Sequence, residues 1–282
     1  MKTSARRPTT GRVALVGGGF LGTPLARALG DGTVVATRSG QWRSPPQPNG
    51  VRMHKLDMSS KSLNVAPLQT CSALHIAVAP GSSEVDRRSL YVEGTRRLLE
   101  ATAEHPWTRI VYVSSTSALP DRDGWVFETE QGRPTSPRGA VQRDAEDVVL
   151  EHGRRNDIPT LVLRLGGLYG PGRDLGRVYR RRREAPLPGS GNAPTNLIHV
   201  DDAVAASLSA LAAPAHIGGI VHVVDDDHRS RRAMYDAVAQ ARGLDPVAWE
   251  AAVGPEPPAG KRVSNARLKL DLGVRLKHPT HG

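Results

Sequence analysis

A single cysteine, Cys71, stands in 282 residues, which excludes an internal disulfide and any cysteine-based metal cage. It lies just before the apolar run Ala73–Val78 and reads as a small buried hydrophobe rather than a nucleophile. No apolar run approaches the ~18 residues that a bilayer-spanning helix needs, so no membrane partner is expected. The opening segment Met1–Pro8 lacks the apolar core of a signal peptide; residues 1–10 read as a disordered tail and the chain as cytoplasmic. Internal repeats are absent, and low complexity is confined to the tail and the loops Ser44–Gly50 and Gly254–Gly260. The chain carries 38 Lys and Arg against 28 Asp and Glu, a net charge of +10. The arginines are spread along it, and no helix-turn-helix, zinc-finger or RNA-binding signature accompanies them, so nucleic acid is not the expected partner. Only Arg180–Arg183 form a dense basic cluster.

With 38% hydrophobic residues the chain can bury a substantial core, as one α/β domain with a smaller appended part. Its organising stretch is Val13–Gly22: a Val/Leu strand, three consecutive glycines, then a helical pattern on Leu21, Leu25, Ala28 and Leu29. Gly17, Gly19 and Gly22 fit G-x-G-x-x-G, in which the glycines serve a tight turn, backbone approach to a pyrophosphate and close helix–strand packing. Backbone N–H groups of Phe20, Leu21 and Gly22 open a helix whose positive dipole end favours phosphate. Pro24 fits there because N–H groups of the first turn have no intrahelical partner to lose.

Thr33–Thr37 reads as a second strand, Val51–Leu56 as a third and Ala73–Ala79 as a fourth. Near the end of the second strand, where dinucleotide folds place an acid for the adenosine ribose, stand Thr37, Arg38 and Ser39. An acid would repel a 2′-phosphate and Arg38 can grip one, so the expected cofactor is NADP (NADPH). Asp57 either meets the adenine or caps a short helix after the third strand. Ala77 and Val78 lie where the fourth strand would meet a cofactor. A long helix is expected over Glu84–Glu104, then a fifth strand Ile110–Val113 ending in the hydroxyl cluster Ser114, Ser115, Thr116 and Ser117. Further helices are expected at Ser136–His152, Val200–Leu211 and Arg231–Arg242, and a strand at Gly218–Val224.

Gly17–Gly22, Tyr91–Ala101, Ile110–Thr116, Leu163–Gly172 and Asn196–Asp202 stand in the order and spacing of one family. From them, over about residues 11–275, the chain resembles the extended short-chain dehydrogenases/reductases, the NAD(P)-dependent epimerase/dehydratase group. The resemblance implies a Rossmann doubly wound parallel sheet with a smaller C-terminal α+β substrate domain. Residues 11–168 would form the dinucleotide-binding domain, with the helix and strand of 197–224 returning to it, and residues 169–196 and 225–282 the substrate part. It also implies hydride chemistry by a Ser/Thr after the fifth strand and a Tyr and Lys four residues apart on the next helix. Thr116 matches the first. Aligned on Ala145-Glu146, the helix puts Arg138 at the Tyr place and Gln142 at the Lys place, so the chain resembles the atypical branch that lacks the pair. Guanidinium stays protonated and an amide does not titrate, so neither replaces the lost acid.

Tyr169, in the loop after the sixth strand, is the leading replacement acid, with Glu128 and His199 more distant. His199, Asp201 and Asp202 have the composition of a metal or catalytic cluster, but the resemblance assigns them to anchoring the helix from Val200, with Asp201 or Asp202 as its cap. No metal is expected. Ser114 and Gln142 are assigned to the cofactor. Ser115, Ser117, Arg180 and Arg183 are assigned to a small anionic substrate, with Arg138 facing it from the other side. Three readings stay open: an NADP-dependent reductase of a carbonyl or imine, an epimerase or dehydratase that recycles its cofactor, and a non-catalytic NADP-binding sensor, in each case a monomer or homodimer.

Overall fold

Val13, Ala14, Leu15 and Val16 are all buried, which is what a strand covered on both faces requires. In the computed structural model, which describes residues 11–80, 86–176, 186–187, 189–250 and 260–281, they form β1. The expected tail of residues 1–10 and the pair Arg180 and Arg183 lie outside the described residues. β1 is followed by α1 (Gly22–Leu29), β2 (Val34–Thr37), β3 (Arg52–Lys55), β4 (Ala73–Ile76), α2 (Thr95–Ala101), β5 (Arg109–Ser115), β6 (Gly124–Val126), α3 (Pro137–Arg155), β7 (Thr160–Leu165), β8 (Gly167–Tyr169), β9 (Leu197–His199), α4 (Val200–Ala212), β10 (Gly219–Val223), α5 (Arg231–Gln240), β11 (Lys261–Val263) and α6 (Ala266–Leu270). Seven strands form one sheet in the order β10-β7-β5-β4-β1-β2-β3. β1 lies parallel to β2 and β4, with Ala14 opposite Val34 and Leu74, and β2–β3 and β4–β5 are also parallel. The chain passes from β3 across β1 and β2 to β4, so the strand order reverses beside β1, the position where open α/β sheets bind ligands.

The chain divides into two units, residues 1–114, 144–163 and 204–220, and residues 115–143, 164–203 and 221–282. In the first, Leu15, Leu25, Ala26, Val35 and Val51 form a core against which Val204 and Leu208 of α4 pack. The buried guanidinium of Arg109 donates to the carbonyls of Ala213, Pro214 and Ile217, in the segment that follows α4. In the second unit, Leu119, Val126, Val224 and Val263 form one cluster, and Leu187, Met234, Tyr235, Ala239 and Val247 another. Two small parallel sheets belong to it, β6–β11 and β8–β9.

The structure corrects several expectations. Tyr169 closes a short strand, β8, instead of lying in a loop, because Gly167 to Tyr169 pair with Leu197 to His199. The fourth strand stops at Ile76; the Ala77 N–H still donates to the Val16 carbonyl of β1, and residues 78–80 carry no regular structure. The helix expected over Glu84–Glu104 is π-helical over Ser89–Gly94 and ends at Ala101, where Thr102 turns its hydroxyl back to the Leu98 carbonyl. Ala28 faces solvent, and Ala26 takes its place in the core. Cys71 is buried as expected, and burial pushes its thiol up.

Two buried histidines impose a pH dependence on stability. His75 in β4 is fully buried, neither ring nitrogen has a hydrogen-bond partner among the described residues, and burial pushes it down to about 3. His222 in β10 is pushed down to about 3 by burial, then by the Arg164 guanidinium. Below an ordinary histidine value of ~6.5 the unfolded chain binds protons that the folded chain refuses. Stability is therefore full above that pH and falls toward pH 3, by up to ~1.4 kcal/mol per pH unit for each histidine. Urea midpoints at pH 7 and 5 should show this fall, and His75→Leu should reduce its slope. Midpoints equal at both pH values would overturn it.

Candidate functional site

The carboxyl ends of β1 to β4 enclose a pocket lined by Val16–Gly19, Ala36–Ser39, Arg43, Leu56–Ser59, Ala77–Pro80 and Leu90. All of it belongs to the first unit. Gly17 has φ +114°, and a Cβ there would lie 2.3 Å from the Ala77 carbonyl oxygen. A Cβ on Gly22 would collide with the Gly17 carbonyl oxygen, so both glycines are required by the fold itself. At Gly19 a Cβ would meet no atom within 4 Å. The glycine that the protein does not need for its own packing is thus the one whose bareness leaves backbone open to a ligand in the pocket. Thr23 closes the turn by donating its hydroxyl to the Gly18 carbonyl at 3.0 Å.

Of the residues assigned to the cofactor from sequence, Gly17, Gly19, Arg38, Ser39, Asp57, Ala77 and Val78 line this pocket. Arg38 and Ser39 are exposed at its rim. Asp57 Oδ1 accepts from the Ser59 N–H and hydroxyl at 2.9 and 2.6 Å. These bonds, followed by the charges of Arg38 and Lys55, hold its carboxyl below the usual range. It caps a turn, since no helix follows it, and lines the pocket as well. Leu21 and Gly22 are buried in the start of α1, so only backbone groups there can reach a ligand; Phe20 is half-buried beside them. Arg43, Leu56, Met58 and Leu90 were not singled out from sequence. A second arginine five residues beyond Arg38 was the available signal for Arg43.

Ser114 is buried at the end of β5 and donates its hydroxyl to Glu146 Oε1 of α3 at 2.6 Å, both in the first unit. In the second unit Ser115 Oγ accepts from the Ser117 N–H, starting a single 3-10 turn over Thr116–Ala118 that leaves Thr116 half-exposed. Arg138 is exposed in the first turn of α3. Gln142 is buried, and its Oε1 has no hydrogen-bond partner among the described residues. Tyr169 packs edge-on against His199, with ring centroids 5.1 Å apart. Its hydroxyl also lacks a partner among the described residues, and burial, followed by the charges of Asp225, Asp202 and Asp227, pushes it up. Glu128 is committed elsewhere, accepting from the His222 N–H at 3.0 Å.

The expected capping role of Asp202 is corrected. Its carboxylate is fully buried and accepts from the backbone N–H groups of Lys277 and His278 at 2.7 and 2.9 Å, tying a distant segment to α4. Three residues further, His281 Nδ1 sits 2.9 Å from Asp225 Oδ2 and His281 Nε2 sits 3.0 Å from Thr195 Oγ1. All three side chains of this arrangement are buried, which gives a substrate no access and makes it an anchor.

Comparison with known proteins agrees with this architecture. Residues 13–223 match the model of the NAD dependent epimerase/dehydratase family. The chain is 30% identical over 281 residues to protein YeeZ of Escherichia coli strain K12, covering 95% of this chain and 96% of YeeZ. It is 28% identical over 304 residues to a 3-diazoavenalumate denitrifying reductase of a Streptomyces species, covering 95% and 97% of the two chains. Among solved structures it resembles MoeE5 in complex with UDP-glucuronic acid and NAD, with a TM-score of 0.78, 24% identity and coverage of 95% and 94%; at that identity the likeness is one of fold.

Proposed function

We propose, from the premise that the chain belongs to the NAD dependent epimerase/dehydratase family, that it is an NADP-dependent oxidoreductase reducing a carbonyl or imine of a small anionic substrate. The observation that carries this is the β2 end of the pocket: Arg38 and Arg43 line it, and Thr37 and Ser39 stand where an acid would exclude a 2′-phosphate. The full-length similarity to a reductase supports the direction of the chemistry. The residues present fit the dinucleotide, since the open face at Gly19 and the N-terminus of α1 offer backbone N–H groups to a pyrophosphate. When bound, NADPH supplies the hydride.

The chain's own residues do the rest. Thr116 holds the substrate oxygen by its hydroxyl, and Arg138 binds the anionic group as a permanent cation. Tyr169 delivers the proton: its raised hydroxyl stays protonated until a more basic alkoxide or amide nitrogen develops. Gln142 and Ser114 position the cofactor, and Ser115, Ser117, Arg180 and Arg183 complete the substrate side. Residues 169–196 and 225–282 serve as the substrate-binding part.

Incubation with NADPH and candidate carbonyl or imine compounds, followed by nicotinamide absorbance, tests the proposal. Net NADPH consumption is expected. Product without net consumption would make the chain an epimerase or dehydratase, and no product from any compound that binds would make it a sensor. Within the proposal, Thr116→Ala should lower kcat by about 10²-fold, because a hydroxyl at the reacting oxygen acts on the transition state. Gln142→Ala should act mainly on cofactor affinity. A Thr116→Ala enzyme with wild-type turnover would remove Thr116 from the mechanism.

A further inference from the structure

His199 ends β9, Asp201 stands in the first turn of α4, and His278 is brought to both by the hold of Asp202 on its backbone N–H. One ligand atom from each lies within 4.8 Å of the others, and among the described residues no other three His, Cys, Asp or Glu side chains converge so. Asp201 Oδ2 lies 3.7 Å from His199 Nδ1 and 3.5 Å from His278 Nε2. These separations are beyond a good hydrogen bond of ~2.7–3.2 Å. They are close to the ~3.4 Å that separates two ligands of a tetrahedral centre with bonds of ~2.0–2.1 Å. We propose that His199, Asp201 and His278 form a binding site for a zinc-like divalent transition-metal ion.

The donor set selects the ion. Two imidazoles and one carboxylate suit zinc, cobalt or nickel, whereas magnesium and calcium favour all-oxygen shells. The Tyr169 ring lies edge-on to His199; the rings of His199 and His278 stack 3.7 Å apart at 30°, so His278, the more exposed of the two, turns out of the stack to meet the ion. His199 Nδ1 accepts one bond from the Asp201 N–H at 3.2 Å, at the long end of the range, which the metal displaces. His199 is buried while Asp201 and His278 are 52% and 40% exposed, so water has room to complete a fourth position and an ion has a path in. Bound there, the ion joins the 277–281 segment to the start of α4. Like other ligands of the folded form it stabilises the chain, and the site stands whether or not the proposed reductase activity does.

Calorimetric titration of the tag-free full chain with Zn²⁺ should give one ion per chain with a Kd of about 10 µM or tighter, and the melting temperature should rise with Zn²⁺. Co²⁺ should give the intense visible bands of a tetrahedral centre. His278→Ala, at a half-exposed side chain, and Asp201→Asn should each weaken Zn²⁺ binding at least about tenfold, whereas His228→Ala, in the same unit but outside the cluster, should not. No Zn²⁺ binding by the wild type, a weak octahedral Co²⁺ spectrum, or an unchanged Kd in His278→Ala would each overturn the proposal.

Discussion

The Gly17→Ala protein is expected to melt about 6–12 °C below the wild type and to lose measurable NADPH binding, while Gly19→Ala keeps its melting temperature and loses only cofactor affinity. At Gly17 the backbone has φ +114°, which costs an alanine about 1–3 kcal/mol. The added methyl would also stand 2.3 Å from the Ala77 carbonyl oxygen and 3.2 Å from the Val78 nitrogen, backbone atoms that cannot swing aside. Relief requires β1 and β4 to part at the pocket, and the sum of strain and displacement is about 3 kcal/mol or more. At Gly19 the same methyl meets nothing within 4 Å, so the fold is indifferent and only an approaching pyrophosphate is obstructed. Calorimetric melting and NADPH fluorescence titration on the two proteins distinguish the roles. Equal melting of Gly17→Ala and wild type, or unaltered NADPH affinity in Gly19→Ala, would contradict this division of labour.

The second large effect concerns cofactor choice. Wild type should bind NADPH at least tenfold tighter than NADH, and Arg38→Ala should weaken NADPH by one to two decades while leaving NADH nearly unchanged. A charge-assisted contact to a phosphate contributes ~1.5–3 kcal/mol, and each ~1.4 kcal/mol is a factor of ten. Asp57 shares the pocket, but its charge is already engaged by Ser59 and offset by Arg38 and Lys55, so it does not restore the missing ribose acid at β2. Equal affinity of the wild type for both dinucleotides would refute the assignment.

The parallel sheet and the glycine turn were legible because both are local: Val13–Val16 is apolar throughout, and the glycines follow at fixed spacing. The β2 end was legible for the same reason, since a cation stands where an acid is expected. β6, β8, β9 and β11 were not, because each has three residues, too few for alternation to register. The resemblance offered Asp201 or Asp202 as the helix cap, and the partners of Asp202 could not be read because they lie 75 and 76 residues away. Metal ligation at His199 was set aside because the resemblance assigns its block to anchoring the helix, and the second histidine near it, His278, comes from the far end of the chain.

The pairing of β6 with β11 bears on how the protein is made. Asp123 and Gly260, which join the two strands at one end, are separated by 137 positions, so β6 must wait for that length of chain before it has a neighbour. Trp125 and Phe127, each 51% exposed even in the finished fold, sit in and beside that unpaired strand during the interval. A nascent chain with an open strand edge and two aromatic side chains in water is a template for joining another of its kind. The second unit therefore completes its β6–β11 pair only once residues 261–263 have been synthesised.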